Sequence, residues 1–161
     1  MNIDKINCII FENCNKIFPA LMDCTNHLQE VDAEFELVAK SVGEGDLKLI
    51  GEKQTSSEKF YIRLYLEFLL NDTVSKHPNF LILLDAENKK AEVISFESNL
   101  FPAIRLDAYT EIDGQKYTNK VATYDITLLC DNFLKQLIEL EYKTVYNKWK
   151  PIQNQKQKSV C

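Results

Sequence analysis

The chain has 161 residues, 45% of them hydrophobic and 27% charged, the balance of an ordinary soluble globular domain long enough to bury a core without a stapling disulfide or metal. Its formal net charge is −5; because residues 143–161 hold five lysines and no acid, residues 1–142 carry −10. An acidic body with a short basic tail repels phosphate backbones over most of its surface, which disfavours broad nucleic-acid binding.

The organised part begins at FENCNKIFPALMDCTNHL. Phe11, Cys14, Phe18, Leu21 and Leu28 fall at helical spacing and mark one apolar stripe. Pro19 would clash inside a continuous helix, so the spacing predicts a kink or two short helices. AEFELVAK then changes the period from 3.6 to 2, with Phe35, Leu37 and Ala39 alternating with Glu34, Glu36 and Lys40. The GEG at residues 43–45 supplies the turn to the next strand. FYIRLYLEF continues the alternation, placing Phe60, Ile62, Leu64, Leu66 and Phe68 on one face and Tyr61, Arg63, Tyr65 and Glu67 on the other.

LLDAENKKAEVISF (83–96) poses a choice, because Asp85, Glu87 and Glu92 are either an acidic site or the turn and outer face of a hairpin. An acid–base pair needs burial to shift its pKa, and acids at a loop tip are seldom buried. Asp and Asn in AENK have the local hydrogen-bonding habits of turn residues, so the stretch reads as two strands and a hairpin. DAYTEIDGQKYTN follows as a further strand with an IDGQ turn. YDITLLCDNFLKQLIELEYKTVYNKW has the strongest helical pattern, with Asp125 as N-cap and Ile126, Leu129, Phe133, Leu137 and Leu140 as its stripe. Leu134, Ile138, Tyr142 and Val145 widen that stripe, and Pro151 ends it. The expected fold is α+β: an antiparallel meander of about five strands packed on N-terminal and C-terminal helices. Residues 1–150 form its single domain, and 151–161 form a basic, Gln-rich disordered tail.

Some of these strings resemble a known family. LLDAENKKAEVISF is similar to the HDA…AEV hairpin of the YqiB-like family of small, uncharacterised bacterial proteins. Asp125 followed by Asn132, Phe133 and Leu134 resembles its late D…NxFL helix motif, and FENCNKIFP its early helix ending in proline. The chain departs from the pattern at Leu84, where the family has His, and its hairpin is two residues longer. It also lacks the family's tyrosine–proline–asparagine segment and the acidic–lysine pair that opens its last helix. The resemblance implies a fold and no activity.

Five cysteines (Cys8, Cys14, Cys24, Cys130 and Cys161) make an odd count with no CxxC pair, which argues for reduced thiols, a cytoplasmic location and no zinc site. His27 and His77 have no metal-ligand spacing, no glycine-rich phosphate loop exists, and no cofactor is expected. No apolar run approaches the ~20 residues that cross a bilayer, and CIIF is too short for a signal-peptide core. Cys24 and His27 stand three apart on a predicted helix, but a thiolate–imidazole nucleophile would also need an orienting group and an oxyanion hole. Tyr142, Tyr146 and Trp149, interleaved with lysines, share one predicted helix face suited to a protein contact, with Trp149 near the fraying end. Tyr61, Arg63 and Tyr65 stand on the sheet face away from the helices, and Tyr and Arg are enriched where proteins bind one another.

The leading expectation is a non-enzymatic, protein-binding or adaptor module using Tyr61, Arg63, Tyr65, Tyr146 and Trp149, similar in size, acidity and element order to secretion chaperones. Its partner is another protein rather than nucleic acid or a membrane, and a homodimer is compatible with the same surface. One alternative is a phage or mobile-element inhibitor whose acidic surface mimics nucleic acid. The other is a small enzyme with a site assembled from scattered carboxylates such as Asp85, Glu92 and Asp107.

Overall fold

The computed structural model describes residues 2–22, 33–41, 45–53, 59–100 and 103–151. Helix α1 (Ile3–Ile17) is followed by strands β1 (Ala33–Lys40), β2 (Asp46–Lys53), β3 (Lys59–Leu70), β4 (Thr73–Asp85), β5 (Lys90–Ser98) and β6 (Ile104–Asp107). A small ribbon of β7 (Tyr109–Ile112) and β8 (Gln115–Thr118) leads into helix α2 (Lys120–Glu139) and a last strand, β9 (Lys143–Pro151). The fold is α+β with an antiparallel sheet, larger than the five strands expected: seven strands in the order β6-β5-β4-β3-β2-β1-β9, with β7–β8 apart.

Helix α1 starts at Ile3, well before the expected Phe11. Asn2 caps it by accepting from the Asp4 backbone N–H at 3.0 Å, and Asp4 and Lys16 sit at the ends where the helix dipole favours their charges. Ile6, Ile10, Cys14 and Ile17 form its buried stripe. Pro19 does not kink the helix, which has already ended at its C-cap, Phe18. Leu28 and the Cys24–His27 pair lie outside the described residues, as do the GEG turn at 43–44 and the tail from 152.

The strand rows show why the alternation in the sequence produces this sheet. Phe35, Gly51, Ile62, Ile82 and Val93 stand side by side across five strands, as do Leu37, Leu49, Leu64, Phe80 and Phe96. All these side chains are buried and meet those of α1 and α2 in one core. Gly51 is required in its row, since a Cβ there would collide with the Phe35 ring. The AENK hairpin forms as expected: Asp85 pairs with Lys90, and Asp85 accepts from the Asn88 backbone N–H at 3.1 Å and from its amide Nδ2 at 2.8 Å. The β7–β8 turn also forms, with Asp113 and Gly114 both at positive φ.

The C-terminal helix differs from the expectation at both ends. It is capped by Asn119, whose side chain accepts from the Ala122 N–H at 3.1 Å, so Asp125 is exposed inside the helix and is not its cap. The buried stripe runs Ile126, Cys130, Leu134 and Leu137, while Leu129 and Leu140 are exposed and Phe133 is half-buried with its ring 5.7 Å from that of Phe80. The helix stops at Leu140 in a Schellman motif. Tyr142 N–H bonds to the Leu137 carbonyl at 3.1 Å, Glu141 N–H bonds to that of Ile138 at 3.0 Å, and Glu141 takes φ 60°. Residues 143–151, expected to be helical and then to begin a tail, instead form the edge strand β9 along β1, where β-branched and aromatic residues suit a strand.

Between β6 and β9 the chain must cross the full width of the sheet. Seven strands span roughly 29 Å, and a 20-residue helix is about 30 Å long, so α2 is the right length for the crossing. Ser41 Oγ donates to the Leu140 carbonyl at 2.5 Å, Tyr142 hydroxyl to that of Gly45 at 3.0 Å and Thr144 Oγ to that of Ile17 at 2.6 Å, fixing the far end. No helix among the described residues is long and apolar enough to cross a membrane.

Candidate functional site

With the helix side chains in the core on one face of the sheet, the opposite face carries the other half of each strand alternation. Its rows, read from the register, are Glu52–Tyr61–Leu83–Glu92, Ile50–Arg63–Leu81 and Lys48–Tyr65–Asn79–Glu97–Arg105. Tyr61 is 52% exposed and Arg63 is also exposed, while Ile50, Leu81 and Leu83 beside them are half-buried. This is an apolar surface studded with charges of both signs.

Tyr65 departs from the expectation of an exposed contact residue. It is only 4% exposed: the Lys76 ammonium lies 4.8 Å from its ring centre, and Lys48 beside it donates to Glu67 at 3.1 Å. Burial raises the Tyr65 hydroxyl pKa, and the Glu67 hydrogen bond raises that of Lys48. Tyr65 is thus the floor of the face. Beyond it, residues 68–70 of β3 and 73–75 of β4 pair with each other past the ends of the neighbouring strands, so the hairpin projects as an arm. Leu69 and Val74 pair across this arm on the face that continues from Arg63 and Glu67, and are 71% and 51% exposed. Sequence reasoning passed over both. Extending the Tyr61–Glu67 alternation by two residues would have reached Leu69.

Tyr146 and Trp149 do not share a helix face with Tyr142. They occupy β9, opposite Val38 and Phe35 in the register, and their side chains lie outside the described part of the structure. Tyr142 itself is buried.

The three carboxylates weighed as a scattered acidic site are partly separated. Asp107 is paired with Arg105 at 3.2 Å, and Arg105 also reaches Glu97 at 2.9 Å. Asp85 and Glu92 instead border one cleft of about 350 Å³, walled by Ile3, Asp4 and Asn7 of α1, Thr123 and Thr127 of α2, and residues at the β3, β4 and β5 ends. Hydrogen bonds from Asn88 hold the Asp85 carboxyl below its usual range. Tyr109 hydroxyl donates to Glu92, and that bond, with burial, pushes its pKa up to about 12. Its bonds with Asn88 hold Asp85 in the ionised form, the reverse of the raised carboxyl that a general acid needs.

Two of the described thiols are closed off in the core. Cys14 and Cys130 are free, fully buried thiols; burial raises the Cys14 pKa to about 12 and raises that of Cys130 as well. His77 sits with Nδ1 2.7 Å from Ser98 Oγ, and burial lowers its pKa. Among the described residues no group of three or more His, Cys, Asp or Glu side chains gathers to hold a metal. Compared with known proteins, the chain matches no family model, no curated protein and no solved structure.

Proposed function

We propose that this chain is a non-enzymatic protein-binding or adaptor module whose contact surface is the outer face of β3 and β4, from Tyr61 and Arg63 to Leu69 and Val74. One observation carries the reading: an exposed tyrosine and arginine continue, on one sheet face, into a projecting arm with exposed Leu69 and Val74. Exposed apolar side chains grouped in this way are unusual on a protein that touches nothing, and Tyr and Arg anchor protein interfaces more often than other residues do. Charges of both signs on the face, Lys48, Lys76 and Arg105 beside Glu67 and Glu97, favour a protein partner over the acidic mimicry of nucleic acid. A cytoplasmic location belongs to the same reading, supported by the odd cysteine count. The resemblance to YqiB-like proteins adds no activity to it.

Affinity capture from a lysate of the native cells tests the proposal. The unaltered chain is expected to retain a distinct protein that Leu69→Asp and Tyr61→Ala each lose, with both variants folded by circular dichroism. An eluate identical for all three chains would overturn it.

A further inference from the structure

The tip of the β3–β4 arm closes with Asn71 and Asp72, both at positive φ, the two-residue turn whose twist suits a hairpin. In such a hairpin the pair next to the turn, Leu70 and Thr73, exchanges its backbone bonds within the arm, and so do Phe68 and Ser75. The alternate pairs turn their N–H and C=O groups out of the arm, Val74 and Lys76 on one rim and Leu69 on the other. Lys76 shows that phase directly, since its backbone N–H leaves the arm for Asn99 Oδ1 at 3.2 Å. Val74 lies two residues nearer the tip. Strand β5 pairs with β4 only as far as Asn79, so among the described residues no strand lies beside Val74.

An open rim of this kind is a template for a further strand. The two edges of the main sheet are protected, because β6 has four residues and β9 carries lysines and a terminal proline. The Val74 rim has neither device. Thr73 and Val74 are β-branched, Val74 is half exposed, and Leu69 beside it on the outer face is more so. The rim is also complementary to itself. Val74 turns out both a donor and an acceptor, so an antiparallel second copy meets it with the same two groups reversed. That register puts Lys76 of each copy across from Asp72 of the other. Asp72 is exposed, Lys76 lies over the Tyr65 ring, and neither has an ion pair among the described residues. The tip of the second arm then comes to the foot of the first, where Lys76, Asn79, Ser98, Asn99 and Ile104 line an open cavity of about 490 Å³.

We propose that the chain pairs with a second copy of itself through this rim. Residues 73–76 of the two β4 strands run antiparallel about a two-fold axis at Val74, and Lys76 of each faces Asp72 of the other. The two arms become one continuous ribbon. The pairing lies in the plane of the sheet and leaves the outer face, with Tyr61, Arg63 and Leu69, open to another protein. Two short edges bury less than the ~1,200 Å² of a standard interface, so the dimer is weak and reversible.

Sedimentation velocity of the full chain from ~10 µM to ~1 mM, a range suited to weak association, tests the proposal. A reversible monomer–dimer equilibrium is expected. Hydrogen exchange of the Val74 amide should slow as dimer forms, while that of Leu69, on the opposite rim, stays unchanged. Val74→Pro removes an N–H that the arm itself does not use, and is expected to weaken the dimer ~10-fold or more through two symmetric bonds. Lys76→Asp and Asp72→Lys each set like charges across the axis, and each alone is expected to weaken the dimer ~5-fold. An equimolar mixture of those two variants should regain it, because their heterodimer restores both opposite pairs; this test serves if Val74→Pro does not fold. A monomer at every concentration would overturn the proposal and leave the rim to a strand of another protein. So would a dimer in which Val74 exchange is unchanged, or a mixture no tighter than its components.

Discussion

Asp85 shows how a carboxylate can look like chemistry and serve a turn. Its two hydrogen bonds with Asn88 close the loop between β4 and β5, and they favour the ionised form. The folded-state pKa therefore lies below the unfolded value near 3.8, so the contribution is complete above that value and is lost as pH falls through the folded one. Asp85→Ala is expected to lower stability by ~0.5–1.5 kcal/mol at pH 7. In urea denaturation the difference from the unaltered chain should close below about pH 4; a gap that persists at pH 2 would show that Asp85 acts through something other than its charge. This residue was legible because turn chemistry is local. Tyr65 was not, since alternation gives a face but not its cover. That cover comes from Lys76 on β4, past an irregular pairing of β3 with β4 that no local pattern announces.

At the scale of elements, α2 and β9 were the hardest part of the chain to read. The apolar spacing continues past Leu140 into Tyr142 and Val145, and the left-handed residue just after the Leu140 C-cap is Glu141, a residue type that seldom takes that conformation. Glycine or asparagine there would have marked the stop. Glu141→Gly is accordingly expected to raise stability by ~1 kcal/mol, since it relieves the left-handed strain of a residue with a Cβ. A fall in the denaturation midpoint would contradict the cap assignment. The stripe of α2 makes a second prediction. Leu134→Ala should cost ~2–5 kcal/mol, the usual loss for a buried leucine, whereas Leu129→Ala should stay within ~0.5 kcal/mol because Leu129 is exposed. Equal losses in thermal melts would return Leu129 to the core and rotate the helix. Strand β9 pairs with β1 across more than a hundred residues, and nothing in KTVYNKWKP specifies that neighbour. Its lysines and terminal proline do suit an edge, where they discourage pairing with a further chain.

Across the whole molecule, the meander β1 to β5 could be read from period-2 alternation and turn residues, and the layer order followed from it. The extent of the sheet could not, because the β9 return and the short β6 edge depend on tertiary contacts. The same layering explains why the candidate surface was only partly visible. Tyr61 and Arg63 follow from alternation alone, whereas the exposure of Leu69 and Val74 depends on how far β3 and β4 outrun β2 and β5. In the proposed reading the contact surface is this face and its arm, with the helix side turned away from the partner. Site-specific photo-crosslinking in native cells tests it most directly, with the reactive group placed at Leu69 on the arm or at Leu129 on α2, both exposed positions. A discrete protein adduct is expected from Leu69 and none from Leu129; an adduct from Leu129 with none from Leu69 would place the contact on the helix side instead.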